Sequence, residues 1–134
     1  MKTIAVVERG KDGSYGIYTP NLENTISGNG KTLEDAKRDF EEALQEIPEV
    51  FAAMGEPVPD ELRNLEFEYQ YEIASFYEAH PYLNVSQVAR YIGMNDTLMR
   101  QYRRGQYISE VQIARIQDGI HRIGRELSNV ELIK

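Results

Sequence analysis

The sequence has no cysteine, only two histidines, and no apolar run near the roughly 18 consecutive residues that a membrane-spanning helix requires. The first absence excludes disulfides, thiolate zinc sites and cysteine nucleophiles, and it fits a reducing compartment. His80 and His121 are isolated, with no carboxylate or serine partner readable nearby, so neither a triad nor an imidazole metal site is indicated. The N-terminal stretch MKTIAVVERGKDG meets charge after a short apolar run and lacks a small-residue cleavage site. A cytoplasmic location without a membrane partner is therefore expected. No internal repeat or low-complexity segment is present, and Gly28-Asn29-Gly30-Lys31 completes no phosphate-binding fingerprint, so it reads as a turn.

Positive charge is scarce in the first part of the chain and concentrated in the last. Residues 1–79 hold 7 Lys and Arg against 17 Asp and Glu, whereas residues 80–134 hold 8 against 5, and the whole 134-residue chain carries −7. A locally basic segment can approach phosphate. The acidic part is repelled by it and suits a basic partner, although acidity also serves solubility alone.

Alternation of bulky residues over Thr3–Glu8 and again over Tyr15–Thr19, with Lys11-Asp12-Gly13 between, predicts a β-hairpin. A short third strand is expected near Thr25–Ser27. Thr32 with Asp35 forms a capping-box pattern, and Leu33, Ala36, Phe40, Leu44, Ile47 and Phe51 then recur at three- and four-residue steps. That spacing predicts an amphipathic helix lying on the sheet, ending or kinking near Ile47 because Pro48 lacks a donor. Gly55-Glu56-Pro57-Val58-Pro59 closes the unit. Leu65, Phe67, Tyr69 and Tyr71 alternate with polar residues, a period of two that predicts a fourth strand. The period becomes helical at Ile73, Phe76 and Tyr77, which sets the expected domain boundary after residue 71.

In the last third, Asn84 can cap a helix that Gly93 ends, and Asn95 can cap a second. Two short helices pack at a steep angle only where a small residue lets their backbones approach and a glycine makes the turn, roles that Ala89 and Gly93 fit. Val88, Ile92, Met94, Leu98, Met99 and Tyr102 are the expected inward set. Asp96, Thr97, Arg100, Gln101 and Arg104 then face outward, and Arg and Gln can bond purine edges in a major groove while Thr meets a thymine methyl. Arg103 and Arg104 suit phosphates, and Ser86, Gln87 and Asn95 complete the candidate DNA-binding set. Ser109 with Gln112 opens a further helix whose Ile113, Ile116, Ile120, Ile123 and Leu127 form one stripe. The stripe completes a small core and is also the pattern of a two-helix seam, so a homodimer or homotetramer is expected, through this region or the sheet domain.

The segment NVSQVARYIGMNDTLMRQYRRG resembles the helix-turn-helix of the phage-repressor type, and the plan of the whole chain is similar to that of HicB antitoxins. The resemblance in the first half is carried by Gly13-Ser14-Tyr15, Pro20-Asn21-Leu22, Gly28 and Thr32-Leu33-Glu34-Asp35-Ala36. It implies an α+β chain: a small antiparallel sheet with a packed helix, degenerate ribonuclease H-like, over residues 1–71, then an all-α helix-turn-helix domain over residues 72–134. It further implies an antitoxin that neutralises a HicA-like toxin, a small basic ribonuclease acting on messenger RNA, and that represses its own operon by binding operator double-stranded DNA. Glu34, Asp35, Asp39, Glu42 and Glu46, on the polar side of the first helix, are the candidate toxin-facing surface.

No enzymatic activity, metal or cofactor is expected. The carboxylates of the first helix read as a solvated or partner-facing surface rather than the convergent set that a hard divalent metal requires, and Glu8, Asp12 and Glu23 lack the spacing of a cluster. Two rival readings stay open: a transcriptional regulator whose N-terminal domain senses a small molecule or dimerises, and an active nuclease of ribonuclease H type.

Overall fold

The structure, a computed structural model, describes residues 2–134. It is α+β, with a four-stranded mixed sheet and five helices among the described residues. The chain divides into two compact units, one ending at Ala79 and the other beginning at His80. None of the described helices is long and apolar enough to cross a membrane.

In the first unit β1 (Thr3–Arg9) and β2 (Tyr15–Tyr18) form the expected hairpin, with Val6 opposite Tyr18 and Arg9 opposite Tyr15. Gly13 takes the left-handed conformation at φ 84°, and the Asp12 carboxylate accepts from both the N–H and the hydroxyl of Ser14. These bonds, the hydroxyl's first, hold the Asp12 carboxyl below its ordinary range. β3 (Ser27–Gly30) pairs antiparallel with β2, and β4 (Phe67–Tyr71) pairs parallel with β1, giving the order β3-β2-β1-β4. The sheet is therefore mixed, not purely antiparallel as expected. A helix between β3 and β4 carries the chain across the sheet and allows β4 to run in the same direction as β1.

That helix, α1 (Leu33–Ala53), begins at Thr32, whose hydroxyl accepts from the Asp35 N–H at 3.0 Å. It buries Leu33, Ala36 and Phe40 against Ala5, Val7, Tyr15, Ile17 and Ile26. Of the two outcomes expected near Ile47, an end or a kink, the end does not occur, and the helix runs through Pro48 to Ala53. Ile47 and Phe51 on either side of the proline both pack on the core, so tertiary contact holds the helix across the missing donor.

The expected turn at Gly28-Asn29-Gly30 is in fact most of β3. Its glycines serve a close approach: a Cβ on Gly28 would meet the Phe40 N–H, with Phe40 Cα at 2.6 Å and the Ala36 carbonyl at 2.7 Å, and one on Gly30 would stand 2.6 Å from the Ala36 nitrogen. Only a strand without side chains on that face lets α1 lie so near. On the outer edge of β3, the Asp39 carboxylate accepts from the Asn29 N–H at 2.8 Å.

The loop from β2 to β3 is closed by two further contacts. The buried Thr19 hydroxyl accepts from the Ile26 N–H at 2.9 Å. Glu61, in the 3-10 turn Asp60–Leu62, accepts from the Glu23 and Asn24 N–H groups and from the Asn24 side chain.

The boundary falls eight residues later than expected because α2 (Ile73–Ala79) packs on β1 and β4. The buried Ser75 hydroxyl donates to the Val7 carbonyl at 2.7 Å, and the Glu72 carboxylate accepts from the Arg9 N–H at 2.6 Å. The period switch after Tyr71 marks a change of element and not a change of unit.

The second unit contains α3 (Val85–Ile92), α4 (Asp96–Arg103) and α5 (Glu110–Ser128), capped by Asn84, Asn95 and Ser109 as expected, with donor distances of 3.0, 3.1 and 3.3 Å. Its buried residues are Val88, Ala89, Ile92, Met94, Met99, Tyr102, Ile116 and Gly119.

Two outcomes test the first unit. Gly28→Ala is expected to destabilise by about 2–3 kcal/mol, since backbone atoms of α1 cannot yield as a side chain does, and a denaturant titration reads this. The hydrogen bonds to Glu61, the Asn24 N–H foremost, hold its carboxyl below the ordinary 4.5. A depressed carboxylate stabilises fully above its unfolded value and loses that contribution as pH falls through the folded one. Melting temperatures of the native chain and Glu61→Gln should accordingly differ at pH 7 and converge as the pH drops well below 4.5.

Candidate nucleic-acid interface

The corner between α3 and α4 is made by Gly93 in the left-handed conformation, φ 86° and ψ 29°. The Gly93 N–H donates to the Arg90 carbonyl at 3.1 Å and the Met94 N–H to the Ala89 carbonyl at 2.8 Å. This six-to-one and five-to-two closure satisfies the last carbonyls of α3 and turns the chain sharply. The same pair of bonds, Gln106 to Gln101 and Gly105 to Tyr102, ends α4. Ala89 is wholly buried.

Met99 and Tyr102 anchor α4 inward, so Thr97, Arg100, Gln101 and Arg104 follow helical steps along its opposite face. Thr97, Arg100, Arg103 and Arg104 are exposed, Gln101 and Asp96 half-buried. Leu98, expected inward, is only half-buried. Ser86 and Gln87 lie in the first turn of α3. Ser86 meets α4 directly: Arg100 donates to the Ser86 hydroxyl at 2.8 Å and to the Thr97 hydroxyl at 3.2 Å. The Asp96 carboxylate lies 3.5 Å from Arg100 and 3.6 Å from Arg90, bridging two guanidinium groups. Such exposed ion pairs contribute little stability, but they confine the Arg100 fork. Asn95 is committed to its cap, accepting from the Leu98 N–H. The structure thus gathers Ser86, Asp96, Thr97 and Arg100 into one cluster, with Gln87, Gln101, Arg103 and Arg104 outside it.

α5 holds α3 and the turn after it by contacts that sequence reasoning missed. Arg115 donates to the Gly93 carbonyl at 2.7 Å. The Tyr91 hydroxyl donates to Glu126 at 2.5 Å, which pushes its pKa up, and Arg122 stands over the Tyr91 ring at 5.5 Å. Gly119 is buried where α5 meets α3, and a Cβ there would fall on Ile92. A glycine in mid-helix was the available signal. The α5 stripe completes the core only in its middle: Ile116 is buried, but Ile113 is 44% and Leu127 64% exposed.

The acidic candidates of α1 divide. Asp39 holds the edge of β3 and Asp35 pairs with Arg38 at 3.2 Å, whereas Glu34, Glu42 and Glu46 are exposed. Among the described residues no group of three or more His, Asp or Glu converges as a metal site. Comparison with protein-family models, with curated proteins and with solved structures finds no match for this chain.

Two glycines of one helix provide a paired test. Gly124 has open space around it, so Gly124→Ala should gain about 1 kcal/mol of helix propensity. Gly119→Ala should lose stability despite the same propensity, because the gain is smaller than the overlap with Ile92. Thermal melts of both variants read the difference in sign.

Proposed function

We propose that this chain is an antitoxin and autorepressor of the HicB kind. In this reading the second unit is a helix-turn-helix that binds operator DNA, and the first is a degenerate ribonuclease H-like unit that captures a small basic ribonuclease toxin. The observation that carries the reading is the α3–Gly93–α4 corner, with its buried inward set and the polar, cationic face of Thr97, Arg100, Gln101 and Arg104. A short helix so presented fits a major groove, with Arg100 and Gln101 reading base edges and Arg103 and Arg104 meeting phosphates. The local charge supports it, since this segment is positive within an acidic chain. The connectivity β1-β2-β3-α1-β4 supports the fold assigned to the first unit. The exposed Glu34, Glu42 and Glu46 fit a cationic partner. A single corner of this size reads one half-site, so the operator-binding form is a homodimer or a tetramer of two dimers.

One observation favours a second reading, a regulator whose first unit senses a small molecule. An apolar groove of about 680 Å³ runs between α1 and the start of β4, lined by Leu44, Ile47, Val58, Leu65 and Phe67 among others. A ligand-dependent rise in melting temperature, with no toxin encoded beside the gene, is the outcome that selects it.

The leading reading is tested with the chain's own promoter fragment at low salt, with and without the toxin encoded next to it. Arg100→Ala and Gln101→Ala should each weaken operator binding by about 1–3 kcal/mol, roughly five- to 150-fold, while the folded variants still co-purify with the toxin. Failure of the native chain to retard the fragment, or loss of both activities in a folded variant, removes the proposal.

A further inference from the structure

The outer edge of β4 has its own design. Thr3 donates to the Glu66 carbonyl at 2.7 Å and Glu72 to the Val7 carbonyl at 3.3 Å, so the even-numbered peptide groups of this strand aim at β1. By the alternation of an extended chain, the N–H and C=O of Phe67 and Tyr69 point out of the sheet. α1 lies mainly over β3 and β2, leaving Tyr69 45% exposed. The two edges of the sheet therefore differ: Asp39 occupies the outward N–H of Asn29 on β3, whereas β4 offers an aromatic strand, FEYQY, of the kind that pairs with another chain.

We propose that β4 pairs antiparallel with β4 of a second copy of this chain, joining two four-stranded sheets into one. The occupant is identified by the self-complementarity of the strand. With Tyr69 on the two-fold axis all five residues pair: Tyr69 faces Tyr69 and exchanges both backbone bonds with it, Phe67 faces Tyr71 of the second copy, and Glu68 faces Gln70. Centring on Glu68 would oppose two Glu68 carboxylates, and centring on Gln70 would set Glu68 against Glu72. Moving the axis to Tyr71 runs the pairing into α2. Beyond the strand, Glu66 comes opposite Glu72, whose carboxylate is turned back to the Arg9 N–H. Pairing also covers the side chain of Tyr69, which α1 leaves open. Residues 1–79 carry 17 acidic against 7 basic residues, so two such units repel at long range and their association strengthens with salt. DNA binding by the same chain weakens with salt. The inference rests on the dimer reading above but not on what the dimer binds.

The test is sedimentation equilibrium of the full chain in low and moderate salt. Gln70→Glu places carboxylates opposite each other twice and should raise the dimer dissociation constant about tenfold, while Gln70→Lys should lower it. The same two changes at Gln45, exposed on α1, should leave it unaltered. Tyr69→Pro removes an outward N–H without taking a bond from β1, and should yield a folded monomer by circular dichroism. Because the chain lacks cysteine, Tyr69→Cys supplies a unique thiol that should cross-link two copies under mild oxidation, as Glu34→Cys should not. A monomer at every concentration overturns the inference. So does a dimer indifferent to positions 69 and 70 but lost in Leu127→Glu, which moves the interface to α5. If the edge behaves as stated but neither DNA nor toxin is bound, the proposed function fails and the edge stands.

Discussion

Close approach at residues without side chains underlies both units of this protein. α1 rests on β3 because Gly28 and Gly30 present no Cβ to it, and Phe40 and Ala36 occupy that space with main-chain atoms. α5 rests on α3 because Gly119 receives the side chain of Ile92. Small cores gain little from area alone, so each depends on how near its elements can come. A methyl group at Gly28 would lift the helix that carries Phe40, and the core beneath it would lose its cover.

Above that packing, short polar contacts set the finer geometry. Ser75 and Glu72 bind α2 to the end of β1, Thr19 and Glu61 close the loop before β3, and Arg115 fastens α5 to the carbonyl of the Gly93 turn. Most of these bond a side chain to a backbone group that no strand or helix partner serves, so each satisfies a donor or acceptor left over by the topology. In the second unit the result is a short helix with Met99 and Tyr102 rooted in the core and Arg100 held beside Ser86 and Thr97. These contacts confine the fork of that arginine and restrict its rotamers.

The two units differ in charge and in how their surfaces are finished. The first is acidic and keeps one sheet edge covered by Asp39, with the other open. The second is basic, and its last helix leaves Ile113 and Leu127 exposed at the margins of its core. A chain proposed to hold a basic protein and a DNA duplex at once requires such a division, because one field cannot attract both.

Local signals were legible wherever chemistry acts over a few residues. The sequence by itself determined the hairpin, the caps at Thr32, Asn84, Asn95 and Ser109, the turn at Gly93 and the inward set of α3 and α4 apart from the half-buried Leu98, since side-chain caps, glycine conformation and apolar period are all local properties. Tertiary structure alone decided that Gly28-Asn29-Gly30 is a strand, that α1 continues through Pro48, that β4 lies parallel beside β1, and that α2 belongs to the first unit. Each of these depends on a neighbour distant in the chain: a helix backbone over the glycines, a core under Ile47 and Phe51, the Val7 carbonyl above Ser75. Asp39 and Gly119 show the same limit at the level of single residues. An aspartate on a polar helix face and a glycine inside a helix have no readable role until the strand or helix they touch has been brought to them.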